Sequence, residues 1–137
     1  MKKLLRFGFF SFFLISALFA QSDEQRVQEV VSSSLIYTVL PTGSMKPTFD
    51  ESYLLLVQYQ DFRSLKIGDI IVWRSPVGLK FLDGQEHELV VHRVWGISSG
   101  HSVLLTKGDN NWQVDSVSVT EDMYVGTVVG IIKKLTP

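Results

Sequence analysis

The sequence predicts a mostly-β fold: a coiled antiparallel sheet or small barrel, preceded by an N-terminal hydrophobic signal or anchor segment. Two observations predict the sheet. Short runs rich in Val, Ile, Leu, Tyr and Trp recur at close spacing, separated by turn residues such as Gly68-Asp69, Ser99-Gly100 and Gly108-Asp109-Asn110. No helical pattern intervenes between them, which disfavours a parallel α/β sheet. A third observation predicts the leading segment: a basic start, an uncharged Phe-rich run and a small residue before a polar stretch.

In chain order, residues 1–20 come first as a signal peptide or short anchor. Lys2, Lys3 and Arg6 precede the fourteen-position run from Phe7 to Ala20, and Gln21 to Arg26 is polar and charged. Fourteen positions fall short of the roughly 20 that a membrane-spanning helix needs, which favours cleavage after Ala20. Leu18, third from that cut, is larger than a cleavage site prefers, so retention as a tilted or bilayer-thinning anchor stays open. Either way the basic end stays in the cytoplasm and the domain is exported, to the periplasm or another extracytoplasmic space. Cleavage would leave 117 residues with ten bases against fourteen acids, a net charge of −4.

Residues 21–34 form a spacer, with Val27, Val30 and Val31 at helical spacing before Ser32 to Ser34. Residues 35–137 form the main domain. Its expected strands are Leu35 to Leu40, Tyr53 to Tyr59, Asp69 to Arg74, Leu89 to Ile97, Ser102 to Thr106 and Tyr124 to Lys134. Ser75 to Glu88, with Pro76, Gly78 and Gly84, reads as the longest loop and a groove rim.

Composition narrows the chemistry. The 137 residues provide about one domain. Hydrophobic residues at 45% and charged residues at 20% are globular proportions. A net charge of −1 argues against affinity built on nucleic-acid phosphates. With no cysteine, disulfides, thiolate metal sites and cysteine nucleophiles are excluded. A nucleophile here is a hydroxyl.

Ser44 is the leading candidate, since it follows Gly43 at the end of an apolar strand, with Pro41 and Pro47 restraining the backbone on either side. Among the histidines, His87 lies in a polar loop and His101 begins a strand after Ser99-Gly100. His92 sits inside Val90-Val91-His92-Arg93-Val94-Trp95, held rigidly enough to face a groove. A neutral imidazole is the natural acceptor for a serine proton. An acid should orient that imidazole. Thr106 to Asp115 offers two carboxylates six positions apart, Asp109 and Asp115. Asp109 lies in a Gly-Asp-Asn turn that could occupy its carboxylate with backbone amides, whereas Asp115 is freer to reach another strand.

These residues carry a resemblance. Pro41 to Thr48, Lys66 to Trp73, Val90 to Gly96 and Thr106 to Asp115 occur in the order of the conserved boxes of type I signal peptidases. Gly-Ser-Met-x-Pro-Thr and Lys-Gly-Asp-Asn-Asn are specific signatures, and the likeness runs from about Ile36 to Ile132. Where common bacterial members place a Lys before Arg-Val, this sequence has His92-Arg93-Val94. It therefore resembles the endoplasmic-reticulum and archaeal Ser-His subtype, a fold related to self-cleaving repressor peptidases.

The resemblance implies a serine endopeptidase cleaving exported polypeptides after small residues. Ser44 is then the nucleophile and His92 the general base, with Asp115 orienting the imidazole and Asp109 as the second acid. Thr42, the Ser44 amide and Met45 are implied on the oxyanion and binding side. It implies no cofactor and no metal. The partner is an extended peptide of an exported protein bound at a strand edge, with a membrane surface as a second contact and no nucleic acid. The 23 residues between Ala20 and Ser44 depart from the usual membrane helix close to the nucleophile, and nothing matches the large extra domain of common bacterial members. A small dedicated processing enzyme fits better. Lys80 or Lys107 as a base is a weaker alternative, and a non-catalytic export-associated peptide-binding module is the rival from another class.

Overall fold

The computed structural model describes residues 22–80 and 86–135, without the side chains of 77–80 and 86–88. The proposed signal at residues 1–20 and the His87 side chain lie outside this set. Contacts divide the chain between Ser32 and Ser33. Helix α1 spans Asp23–Ser33, all but its last residue before the division. Its start is a reciprocal cap: Gln25 N–H donates to Ser22 Oγ at 3.3 Å, and Ser22 N–H to Gln25 Oε1 at 3.1 Å. Asp23 and Glu24 add negative charge where the first-turn N–H groups point. No residue of α1 is buried. Among the described residues no helix is long and apolar enough to cross a membrane.

After the division there is one six-stranded antiparallel sheet. Its strands are β1 (Leu35–Thr38), β2 (Tyr53–Gln58), β3 (Ile70–Lys80), β4 (Glu86–Ile97), β5 (Leu104–Lys107) and β6 (Tyr124–Lys133), ordered β1-β2-β6-β3-β4-β5. No pairing joins β1 to β5 among the described residues, so the sheet is open and the expected barrel closure is not found. All six expected strands are present, five of them within about three residues of their expected bounds and β3 running on past Arg74 to Lys80.

The central β3 explains the core. Its Ile70-Ile71-Val72-Trp73 run is unbroken by polar residues, as a strand covered on both faces requires. Ile71 and Trp73 join Phe62, Leu65, Val94, Leu104, Val119 and Tyr124 in one cluster. Val72 points the other way, into Met45, Phe49, Leu55 and Val57.

Two expectations are corrected here. Ser75 to Glu88 is not one long loop, because β3 continues to Lys80 and β4 starts at Glu86. The ladder steps from Arg74↔Leu89 to Leu79↔His87, so Pro76 and Gly78 fall in a bulge, where a missing N–H and a missing side chain cost least. His101 does not begin a strand. It lies in a short 3₁₀ turn, Ser99–His101, with φ 58°, and β5 starts at Leu104. Ser98 closes that turn, donating its N–H to Val103 C=O and accepting Val103 N–H on Oγ, both at 3.0 Å.

Candidate active site

The segment between β1 and β2 is a chain of tight turns held from two sides. Beneath it, Met45 and Phe49 are buried, at 3% and 2% exposure, in the cluster against Val72. Above it, Asn110 N–H donates to Ser44 C=O at 2.8 Å and Asn110 Nδ2 to Gly43 C=O at 3.2 Å. Gly43 has φ 70°, a conformation that glycine adopts freely, and this turns Ser44 out of the strand direction. Gly108 is needed for a different reason. A Cβ there would lie 2.7 Å from both Ser44 O and Asn111 Nδ2, so only glycine lets the two segments meet this closely.

His92 and Arg93 are consecutive on β4, and their side chains take opposite courses. His92 is 9% exposed. Its Nε2 lies 3.1 Å from Ser44 Oγ and its Nδ1 lies 2.7 Å from Asp115 Oδ2. Thr106 Oγ1 donates to the same Oδ2 at 2.6 Å, and Asp115 N–H donates to Thr106 C=O at 2.8 Å. Ser44 has a second hydroxyl neighbour: Thr42 Oγ1 is 3.2 Å from Ser44 Oγ and 3.4 Å from Ser44 N.

Arg93 makes the other half of the arrangement. Its Nε and Nη2 donate to Asp109 Oδ1 and Oδ2, each at 2.8 Å, and its Nη1 donates to Gly68 C=O at 2.7 Å. Thr48 Oγ1 also donates to Asp109 Oδ2. Hydrogen bonding from Arg93 holds the Asp109 carboxyl below its ordinary value, with Thr48 and the Arg93 charge adding to the effect against partial burial. The guanidinium is correspondingly pushed up, chiefly by its bond to Asp109.

The structure thus brings Ser44, His92, Asp115 and Thr42 together. It directs Asp109 to Arg93 rather than to His92, and to side chains rather than to its turn's own amides. Met45 contributes as a buried support whose residue also lines the cleft. Lys107 Nζ sits 4.6 Å from the Trp95 ring centroid, and the Lys80 side chain lies outside the described residues. Arg93, Thr48, Asn110 and Thr106 were quoted within motifs but given no role by the sequence. Their signal was proximity to motif residues, which does not reveal partners across the sheet.

A cleft of about 510 Å³ opens beside Ser44 and His92. Tyr37 to Leu40 and Leu89 to Val91 line it together with the buried Val72 and Phe49. The arrangement suits an acyl-transfer reaction. An imidazole with an acid on Nδ1 presents Nε2 as an acceptor to a hydroxyl within hydrogen-bond reach.

No model of a protein family matches the chain. Individual proteins do. The chain is 30% identical over 137 residues to a signal peptidase complex catalytic subunit of Yarrowia lipolytica, covering 95% of this chain and 72% of the relative. The chain belongs to the type I signal peptidase family, of the endoplasmic-reticulum type. It is also 35% identical over 113 residues to the corresponding catalytic subunit of Candida albicans, 77% of this chain and 61% of the relative. Signal peptidase I W of Bacillus subtilis is 32% identical over 84 residues, 59% of this chain. The chain spans about half the length of the curated relatives it matches, from 40% for the Bacillus signal peptidase to 72% for the Yarrowia subunit.

Proposed function

We propose that this chain is a serine endopeptidase of signal-peptidase type, cleaving exported polypeptides after small residues. The observation that carries the reading is the chain of contacts Ser44 Oγ to His92 Nε2 and His92 Nδ1 to Asp115 Oδ2, at 3.1 and 2.7 Å. In the first half-reaction Ser44 Oγ attacks the scissile carbonyl carbon while its proton passes to His92 Nε2. The imidazolium keeps its proton on Nδ1, hydrogen-bonded to the Asp115 carboxylate. The tetrahedral adduct collapses, the C–N bond breaks, and Nε2 returns the proton to the leaving amine. Water then repeats the sequence on the acyl-enzyme, restoring Ser44 and releasing the carboxylic acid.

The oxyanion donors on this reading are the Ser44 amide and the Thr42 hydroxyl. They lie 3.4 Å apart and would turn from one another to the developing charge; loss of one such donor costs about 10² to 10³ in turnover. Substrate binding follows from the β4 edge. Pairing between β4 and β5 begins at Arg93, and Leu89 to His92 lie before it along the cleft. An extended peptide laid along this stretch would bring its scissile bond to Ser44. On the same reading, residues 1–20 deliver the domain across a membrane, as a signal or as a retained anchor, and the chemistry requires no cofactor.

The test is cleavage of a peptide with Ala at the first and third positions before the bond. The full chain should cut it and Ser44→Ala should not, with folding unchanged by circular dichroism. Cleavage by purified Ser44→Ala would overturn the mechanism. Peptide binding by a wild-type chain that never cuts would instead identify a non-catalytic binding module.

A further inference from the structure

We infer that Thr106 is a positioning residue, holding the Asp115 carboxylate against His92. The inference rests on the Ser44, His92 and Asp115 reading above and adds a fourth member to it. Within β5, Leu104 and Thr106 are fully buried while Leu105 is exposed, so Thr106 occupies a core position by its place in the strand. Val has nearly the same shape and β-branching and places no polar atom in the core. The hydroxyl therefore calls for a purpose, and a buried hydroxyl needs a partner.

Its partner is Asp115 Oδ2 at 2.6 Å, the oxygen that also faces His92 Nδ1 at 2.7 Å. The backbone makes a second tie between the same residues, from Asp115 N–H to Thr106 C=O at 2.8 Å. The two ties do different work. The amide bond fixes where the Asp115 backbone sits, while the hydroxyl bond restricts rotation of its side chain. Asp115 lies outside the regular strands, so without the hydroxyl its carboxylate could turn away from the imidazole. Strand β5 is itself registered on β4 through Val94↔Thr106, two residues beyond His92. Thr106 thus connects the acid to the same strand that carries the base.

The experiment uses the full chain and two readouts: NMR titration of the His92 ring, and kcat and KM on the alanine-containing peptide. Thr106→Val should lower the pH at which the His92 ring titrates, since the imidazolium loses a fixed carboxylate. It should also cut kcat about tenfold with KM little changed, the scale of one hydrogen bond to a charged group. Thr106→Ser, which keeps the hydroxyl, should titrate like the wild type and recover most of kcat. In an Asp115→Asn background, Thr106→Val should cause no further loss. Should the Val variant not fold, Thr106→Ala removes the same hydroxyl without added bulk and carries the same expectation. An unchanged titration and kcat in Thr106→Val would overturn the inference, as would a Ser variant no better than the Val variant. An upward shift would overturn it too, showing that the hydroxyl competes with His92 for Oδ2. The titration needs no turnover, so it judges Thr106 even if the chain proves not to be a peptidase.

Discussion

Two acids six positions apart in one segment meet neighbouring residues of one strand, and on the proposed mechanism the contrast between them separates chemistry from scaffolding. Asp115 offers Oδ2 to His92 Nδ1 and to Thr106, and among the described residues makes no bond to a permanently charged group. Asp109 is gripped by Nε and Nη2 of the Arg93 guanidinium and by Thr48. A carboxylate facing an imidazole can stabilise a charge that appears and disappears during a reaction. One locked in a bidentate pair with arginine is committed, because the guanidinium does not give up its proton at any working pH. The committed acid joins the turn carrying Ser44, through Thr48, to β4. On the proposed mechanism the other serves the base.

The largest effect should come from the uncommitted arm. Asp115→Asn keeps the shape, but its amide can donate to Nδ1 and so favours the tautomer with its proton on Nε2, the wrong one for accepting the Ser44 proton. A loss of about 10⁴ in kcat is expected with the unfolding midpoint nearly unchanged. His92→Ala should lose at least as much, and Ser44→Ala combined with His92→Ala should be no worse than either alone. Steady-state assays on the peptide measure this. A fall of only a few-fold for Asp115→Asn would show that the acid does not orient the base.

Next is the joint between the arms. Gly108→Ala places a Cβ 2.7 Å from Ser44 O, a backbone atom that can move only by shifting the Ser44 turn. Displacement on the scale of 1 Å costs about 10² in rate. The variant should therefore lose kcat about a hundredfold while remaining folded, and near-normal turnover would show that the two segments need not meet this closely.

The two arms were unequally legible in the sequence. Ser44, His92 and Asp115, which the structure brings together, each stand out locally: a Gly-Ser turn, a histidine among strand formers, an acid beyond a turn. The six strands were found because their apolar runs are short and clearly punctuated. Partner choice was not legible. His92 and Asp115 are 23 positions apart and Arg93 and Asp109 are 16 apart, and which acid meets which base depends on the β4–β5 register and on where β5 leaves the ladder. Ser75 to Glu88 was misread for a related reason. Pro76 and Gly78 look like loop residues until a bulge accommodates them within β3. Thr106 read as an ordinary strand residue, since nothing in its neighbours marks its hydroxyl as needed.

The committed arm should register in stability rather than in rate. Asp109→Asn removes a bidentate charge-assisted pair whose side chains are only 15% and 32% exposed, and a loss of about 1.5 to 3 kcal/mol is expected at neutral pH. The fall in kcat should be far smaller than for Asp115→Asn. Because the folded carboxyl titrates below its ordinary value, its stabilisation is complete above the usual carboxylate range. It is lost as the pH falls through the lowered folded value. The gap between wild type and Asp109→Asn should therefore be full at pH 7 and shrink below about pH 3.9, the ordinary carboxylate value. Urea unfolding across that range measures it, and a gap independent of pH would detach the stabilisation from the carboxyl's ionisation.

The smallest effect should come from the lysine beside these acids. Lys107 immediately precedes the Gly108-Asp109 turn, and in the ladder it stands opposite Arg93, one position from His92. Sequence position alone would admit it as a rival base. Its amine instead lies over the face of Trp95, itself 58% exposed, in the geometry of a cation-π contact. Such a contact at an exposed site is worth about 0.5 to 1 kcal/mol. Lys107→Ala should therefore lower stability by no more than that and leave kcat within a factor of about two, an energy below RT. Its rate should still fall on the acid side as the imidazole protonates, because the group that must be neutral is still present. A large loss of turnover in Lys107→Ala, with the acid-side fall displaced or gone, would transfer the base from His92 to the lysine and undo the contrast between the two arms.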